Sequence, residues 1–205
     1  MDKLKMSPAE KLKEVRIKPI EQECLDRVFE YLINKGPKKE KEAGNHTEKI
    51  GPLDLARTLQ FLGCKPSKSD VNLIIWEVDD DLDGYVSKQE FTTMYKRCIT
   101  DKTGLEPRKL FNLVQFLMYD KKFKGRVTVE ETLQILYVRH GRDKLDDEIK
   151  AIFGDDEKNT DGTEKEITYG QYVEKINKRA LAEQKQIMQD IRLGLLQSQK
   201  EQDNF

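Results

Sequence analysis

The stretch from Asp79 to Glu90, which reads D-D-D-L-D-G-Y-V-S-K-Q-E, constrains this chain more than any other. Its carboxylates Asp79, Asp81, Asp83 and Glu90 stand at positions 1, 3, 5 and 12 of a twelve-residue loop. Calcium takes about 6–8 oxygen ligands, and this spacing supplies them from one short segment. Gly84 at position 6 permits the sharp turn, because glycine adopts positive φ without strain. The sequence therefore predicts a calcium site here.

Two more residues of the loop complete the predicted ligand set. The backbone carbonyl of Tyr85 offers one oxygen, and Ser87 binds directly or through a water, while Glu90 closes the site with both of its oxygens. One Ca²⁺ is the expected cofactor, with Mg²⁺ as the alternative ion at rest. The competing interpretation is a solvated acidic turn, since Asp and Gly also cluster in turns. Apolar residues at helical spacing on both sides favour the metal loop.

The rest of the chain repeats the unit around this loop. Four helix–loop–helix units follow one another at intervals of roughly 36–41 residues, which is the spacing of two paired lobes. Each loop has an apolar residue at its eighth position, and these residues are expected to pair in short β contacts: Ile50, Val86, Val127 and Ile167. The sequence predicts an all-α protein of two lobes.

The first and third loops depart from the metal-binding pattern. About sixteen residues separate the end of the first incoming helix, near Asn34, from Ile50, where about seven suffice, and the alternating aspartates are missing. In the third loop Lys122 and Lys124 occupy positions 3 and 5, where their ammonium groups oppose a divalent ion. We expect a lysine here to act as a built-in cation that keeps the loop closed.

The fourth loop is several residues too long, and neutral Gln171 replaces its closing glutamate. A weakly held cation is the alternative for this loop, with the acidic residues Asp155, Asp156, Asp161 and Glu164 as its ligands. Their spacing does not suit the usual calcium cage. The second loop is therefore the one complete site that the sequence predicts.

The domain organisation follows from these units. We predict a basic N-terminal extension at 1–20, an N-terminal lobe at 21–99, a linker at 100–106, a C-terminal lobe at 107–177 and a C-terminal amphipathic helix at 178–205. The extension contains a short predicted helix, over about residues 8–16, that ends before a proline.

The C-terminal helix has an apolar seam at heptad spacing, formed by Leu181, Met188, Ile191 and Leu195 with Gln184 in the gap. A helix of this kind either binds a partner helix or folds back onto its own lobe. We favour partner binding and expect protein partners that are helical or coiled-coil subunits of a larger assembly.

Composition excludes several classes of function. The 37 Lys and Arg residues nearly cancel the 38 Asp and Glu residues, so no global field points to nucleic acid. The sequence has neither an apolar run of about 18 residues nor a secretory signal, so we expect a cytoplasmic protein without a membrane partner. Three cysteines without a CxxC motif suggest reduced thiols. His46 and His140 stand without a catalytic constellation, so no enzyme is expected.

These features resemble the calmodulin superfamily over about residues 21–177. The resemblance rests on TLQFLGCKPSKSDVNLIIWEVDDDLDGYVSKQEF and FNLVQFLMYDKKFKGRVTVEETLQIL. It implies two EF-hand lobes with N- and C-terminal helical extensions. Calmodulin, however, is strongly acidic and rich in methionine, whereas this chain has a net charge of −1 and 5 methionines. A promiscuous methionine-lined groove is therefore not expected, and the chain looks more like a dedicated subunit.

A narrower similarity concerns the run KTGLEPRKLFNLVQFLMYD, which, with the long fourth loop, is similar to the EF-hand subunit of the ciliary outer dynein arm docking complex. That resemblance implies a microtubule-associated structural protein in the axoneme of a cilium or flagellum, with coiled-coil partners. The leading interpretation is thus a calcium-binding, non-enzymatic structural or regulatory adaptor. The alternative is a free calmodulin-like calcium sensor that binds transient targets.

Overall fold

The protein is mostly helical in the computed structural model, which describes residues 12, 14–35, 48–101, 103–154 and 163–202. The helices are α1 (Pro19–Glu30), α2 (Pro52–Phe61), α3 (Lys68–Trp76), α4 (Lys88–Thr100), α5 (Lys109–Tyr119), α6 (Val129–His140), α7 (Arg142–Phe153) and α8 (Tyr169–Gln202). A π-helical turn, Tyr31–Lys35, follows α1, and the strands are β1 (Arg126–Thr128) and β2 (Glu166–Thr168). The predicted fold class, helices with short paired β contacts, is confirmed.

The loops pair through their eighth positions as predicted. Ile50 and Val86 form an isolated antiparallel bridge, with N···O distances of 2.8 and 2.9 Å in the two directions. Strands β1 and β2 pair antiparallel, with Val127 opposite Ile167. All four side chains are buried, so each pair of loops is joined by an apolar contact as well as by backbone hydrogen bonds.

Three helices begin with a reciprocal capping box. In each, the hydroxyl of the cap residue accepts the backbone N–H of the residue three positions later, and the acidic side chain of that later residue accepts the backbone N–H of the cap residue. The pairs are Ser67 with Asp70 at α3, Ser87 with Glu90 at α4, and Thr128 with Glu131 at α6. Each such cap stabilises its helix by about 1 kcal/mol. The last two fix the point at which a loop becomes its outgoing helix.

The first helix differs from the prediction, which placed its end near Asn34 in a lobe that starts at residue 21. It begins at Pro19, because proline without an N–H fits the first helical turn, and it changes to the π-helical turn at Tyr31. The short helix predicted over residues 8–16 lies almost entirely outside the described residues.

A single buried apolar cluster contains residues from both predicted lobes. Helix α5 lies at its centre, because every residue from Leu110 to Tyr119 except Gln115 is buried. Helix α1 packs against α5 and α6 as well as against α4 of its own lobe. The two predicted lobes are therefore in direct contact through α1 and α5.

Polar contacts reinforce this junction. The buried Glu21 carboxylate on α1 accepts hydrogen bonds from the Tyr95 hydroxyl of α4 and from Nε of Arg139 on α6, both at 3.0 Å. Arg27 of α1 donates to the carbonyl oxygens of Leu117 and Met118 at the end of α5, both also at 3.0 Å. We call Glu21, Arg27, Tyr95 and Arg139 the interlobe clasp.

The last helix, α8, is 34 residues long and runs through the predicted boundary at 177/178 without interruption. The domain limits remain predictions. Across the described part of the chain, helices that combine the length and the apolarity needed to span a bilayer are absent.

Candidate metal centre

The three aspartates of the second loop converge. One carboxylate oxygen from each of Asp79, Asp81 and Asp83 can be chosen so that all lie within 4.8 Å of one another. Asp79 is buried, and its backbone N–H still bonds to Ile75 at the end of α3, so the helix fixes the start of the loop. Asp81 and Asp83 are exposed and face the solvent from which an ion would enter.

Backbone amides of the loop hold the aspartates in place. The Asp79 carboxylate accepts hydrogen bonds from the amides of Gly84 at 2.8 Å and Asp83 at 3.2 Å. Gly84 has φ +84°, the left-handed region in which a side chain is strained. The incoming half of the loop is thus shaped by its own hydrogen bonds around the three carboxylates.

Glu90, the predicted closing ligand, faces its own loop and is buried. Its Oε2 accepts the Ser87 amide at 2.8 Å and the Ser87 hydroxyl at 2.7 Å, while Oε1 accepts the Asp80 amide at 2.9 Å. To bind an ion with both oxygens, Glu90 must exchange these partners. The structure therefore brings three of the predicted ligands together and places Glu90 and Ser87 beside them in a helix cap.

The donor set fits a hard divalent cation. It consists of carboxylate and hydroxyl oxygens, with no nitrogen or sulfur ligand, and this chemistry suits calcium or magnesium rather than a transition metal. The backbone amide of Tyr85 donates to Asp83 Oδ1 at 2.9 Å and so keeps this predicted carbonyl ligand close to the aspartates. The complete set of Asp79, Asp81, Asp83, Tyr85, Ser87 and Glu90 remains a prediction.

One residue at the site was not predicted from the sequence. Lys49, from the first loop, forms an ion pair with Asp83 and reaches Asp81 Oδ2 at 3.4 Å. It directly precedes Ile50, whose bridge to Val86 brings the two loops side by side. The sequence did contain a signal, because a residue next to the eighth position of one loop must lie close to the paired loop.

The third loop differs from the second because a lysine of the loop forms ion pairs with acidic side chains. Nζ of Lys124 lies 3.3 Å from Glu131 and 3.2 Å from Glu166, so its ammonium group neutralises the closing glutamate. Asp120 is fully buried, accepts the Gly125 amide at 2.6 Å, and has its pKa raised by burial. Within the described residues, the triad in the second loop is the sole group of three acidic, histidine or cysteine side chains spaced to hold an ion.

The fourth loop falls largely outside the described residues, which omit 155–162, and so does the alternative of a weak cation there. Gln171 is described, and its Oε1 accepts the Thr168 amide at 2.9 Å. It thus caps α8 in the same way that Glu90 caps α4 and supplies no charge.

Comparison with known proteins gives a family model and several relatives that match part of this chain. Residues 46–98 match a family model described as an EF-hand domain pair. The chain is 30% identical over 92 residues to the probable calcium-binding protein CML27 of Arabidopsis thaliana, covering 45% of this chain and 49% of the relative. It is 32% identical over 92 residues to the calcium-binding allergen Ole e 8 of Olea europaea, covering 45% of this chain and 53% of the relative.

The chain thus spans about half the length of the curated relatives it matches. The matched segment contains the bridge between Ile50 and Val86 and the whole of the loop at 79–90. Residues 46–98 of this chain are therefore similar to an EF-hand domain pair, and the second loop of this segment contains the cluster of Asp79, Asp81 and Asp83, whose oxygens can hold a cation.

Proposed function

We propose that this protein is a calcium-binding, non-enzymatic adaptor that docks on a partner helix or coiled coil. The observation that carries the proposal is the interlobe clasp. A free sensor of the calmodulin type exposes grooves when calcium arrives, and here the first helix of the C-terminal lobe is buried against α1 instead. Opening that junction would separate the buried charges of Glu21 and Arg139 from each other, which costs free energy.

The calcium part of the proposal rests on the second loop. Its aspartates form the oxygen cluster, and both relatives reported above have names that describe them as calcium-binding. Bound calcium would supply a positive charge that draws Glu90 out of its cap toward the aspartates. Because Glu90 lies in the first turn of α4, this exchange would shift α4 relative to α3 and so modulate the surface of the adaptor.

The docking part rests on α8. Its seam residues are exposed along the described length of the helix, with exposed fractions of 53% for Leu181, 68% for Met188 and 52% for Ile191. Apolar side chains at this spacing pack in coiled coils, where each enters a hole on the facing helix. We propose that a helical partner covers this seam.

The setting we propose is the ciliary axoneme, where the chain would belong to the complex that docks outer dynein arms on doublet microtubules. Its support is the similarity of residues 102–120 to the EF-hand subunit of that complex. Most of this run forms α5, the helix at the centre of the core. The proposal therefore concerns a segment that fixes how the two lobes meet.

A second candidate function, a free calcium sensor, is favoured by a different surface. Leu73 and Trp76 are exposed on α3, immediately before the metal loop, and Trp76 is 67% exposed. An apolar surface beside an ion site suits transient targets whose binding depends on calcium.

Partner binding with and without calcium separates the two functions. The tagged chain is used to capture proteins from ciliated cells in calcium and in chelator, and the captured proteins are identified by mass spectrometry. If the protein is an adaptor, it should retain a coiled-coil partner in chelator. The variant Leu181→Gln/Met188→Gln/Ile191→Gln should lose this partner. The matched control, Leu73→Gln/Trp76→Gln, retains it.

Loss of all partners in chelator would refute the adaptor and support the sensor. Capture of coiled-coil partners that do not occur in the axoneme would leave the adaptor standing and would refute its ciliary setting.

A further inference from the structure

Lys49 occupies an unusual place for a residue of the first loop. Ile50, the next residue, exchanges two backbone hydrogen bonds with Val86, so the backbone at Lys49 is fixed beside the second loop. From there the side chain reaches across, and its ammonium group donates to Oδ2 of Asp83 and, at 3.4 Å, to Oδ2 of Asp81. Its side chain is 27% exposed, which indicates that most of it is packed against the loops.

The lysine uses the carboxylate oxygens that face away from the loop backbone. Oδ1 of Asp81 accepts the Asp83 amide at 3.2 Å, and Oδ1 of Asp83 accepts the Tyr85 amide at 2.9 Å. Lys49 contacts the other oxygen of each carboxylate, Oδ2, and so shares with a bound ion the two carboxylates that an ion would need. A divalent cation and an ammonium group on the same two oxygens repel each other strongly at such short range.

We infer that Lys49 is an intramolecular competitor of the metal ion: it neutralises Asp81 and Asp83 while the ion is absent and is displaced when the ion binds. The inference rests on the proposed function in one respect, the identity of the ion as calcium. Through Lys49 the first loop, which lacks the alternating aspartates, helps to set the calcium affinity of the second loop. Each binding event then includes the release of a charged side chain of the neighbouring loop.

The third loop shows why the competitor must come from outside the site. Lys124 neutralises Glu131 from within its own loop, at a position where a metal ligand would stand, so its departure would leave an incomplete ligand set. Lys49 replaces no ligand of the second loop. Its departure removes no predicted ligand from the second loop, and so the same pairing becomes reversible.

Substitution of Lys49 tests the inference through calcium affinity measured by isothermal titration calorimetry. Lys49→Met removes the ammonium group and keeps an unbranched apolar stem, and it should bind calcium about fivefold more tightly than the unchanged chain, the upper range for a partly exposed ion pair. Lys49→Arg keeps the charge and should bind as the unchanged chain does. The control Lys68→Met makes the same change at the start of α3, away from the loop, and should alter affinity less than twofold.

A second measurement follows the side chain itself. The reaction of lysine amines with an acetylating ester, read by mass spectrometry, should be slow at Lys49 in chelator and several-fold faster in calcium. In Glu90→Gln it should stay slow at the same calcium concentration, while Lys68 should react at one rate throughout. Equal rates at Lys49 in chelator and in calcium would overturn the inference.

The titrations distinguish failure of the competitor role of Lys49 from failure of the proposed calcium-binding function. If the unchanged chain binds calcium and Lys49→Met binds no more tightly than Lys68→Met, the competitor role is refuted and the proposed function stands. If neither the unchanged chain nor Lys49→Met binds calcium, both are refuted.

Discussion

At the scale of single residues, charge at two loop positions separates a metal-binding loop from one that is closed by its own lysine. Lys124 bonds to Glu131 and Glu166 where the second loop has Asp83. Lys122→Asp/Lys124→Asp should therefore create a second calcium site and raise the stoichiometry in calorimetry from one to two. The control Lys121→Asp/Arg126→Asp changes the charge equally at positions 2 and 7, which offer no side-chain ligand. A stoichiometry of one in both variants would contradict the role of the lysines.

His140 supplies a prediction about pH. Burial lowers the pKa of this imidazole, and the nearby cations Arg139, Arg179 and Lys144 oppose its protonation, although Glu148 favours it. The folded protein therefore binds the proton more weakly than the unfolded chain does. This contribution to stability is complete above the ordinary pKa of about 6.5 and is lost as the pH falls from there through the folded-state pKa.

The free energy of unfolding should thus fall between pH 7 and pH 5 with a slope that becomes smaller in His140→Gln. Urea denaturation at a series of pH values measures it, with His46→Gln as the matched control, since these are the two histidines of the chain. Equal slopes in His140→Gln and the unchanged chain would contradict the assignment.

At the scale of elements, α8 divides into a part that packs on its lobe and a part that presents a seam. Ile176 packs partly buried against the core, whereas Leu181, Met188 and Ile191 are exposed. Leu181→Gln/Met188→Gln/Ile191→Gln should change the free energy of unfolding by less than about 0.5 kcal/mol per site, because exposed positions contribute little. Ile176→Gln, the comparison on the same helix, should cost about 1–3 kcal/mol. Equal losses would show that the seam belongs to the fold.

The elements also show what the sequence can and cannot predict. The bridge between Ile50 and Val86 and the pairing of Val127 with Ile167 could be predicted, because the repeat interval places an apolar residue at the eighth position of each loop. The start of α1 at Pro19 was missed because the proline was interpreted as the end of a preceding helix. Ligand geometry at Glu90 was incompletely predicted, because one side chain serves both a helix cap and a predicted metal site.

At the scale of the whole molecule, the interlobe clasp is the feature that sequence patterns did not reveal. Glu21 and Arg139 are 118 residues apart in the chain, and neither position interrupts an amphipathic pattern. Only the packing of α1 between α4, α5 and α6 brings them together. Such contacts depend on tertiary structure, which is why helices could be predicted and their mutual arrangement could not.

The clasp also carries a stability prediction. Arg139→Met leaves the Glu21 carboxylate buried beside the Tyr95 hydroxyl without its cation, and it should lower the free energy of unfolding by about 3 kcal/mol. Glu21→Gln/Arg139→Met removes both charges and should regain more than half of that loss. Chemical denaturation of both variants measures the difference. A double variant no more stable than Arg139→Met would contradict a buried charge pair.

If the loop at 79–90 is the calcium site of this chain, binding must depend on its closing glutamate, Glu90. Calorimetric titration of the unchanged chain, of Glu90→Gln and of Glu131→Gln tests this most directly, because the two variants alter the closing glutamate of the second and third loops in the same way. We predict one calcium ion per chain, retained in Glu131→Gln and lost in Glu90→Gln. Unchanged binding in Glu90→Gln, or loss of binding in Glu131→Gln alone, would contradict it.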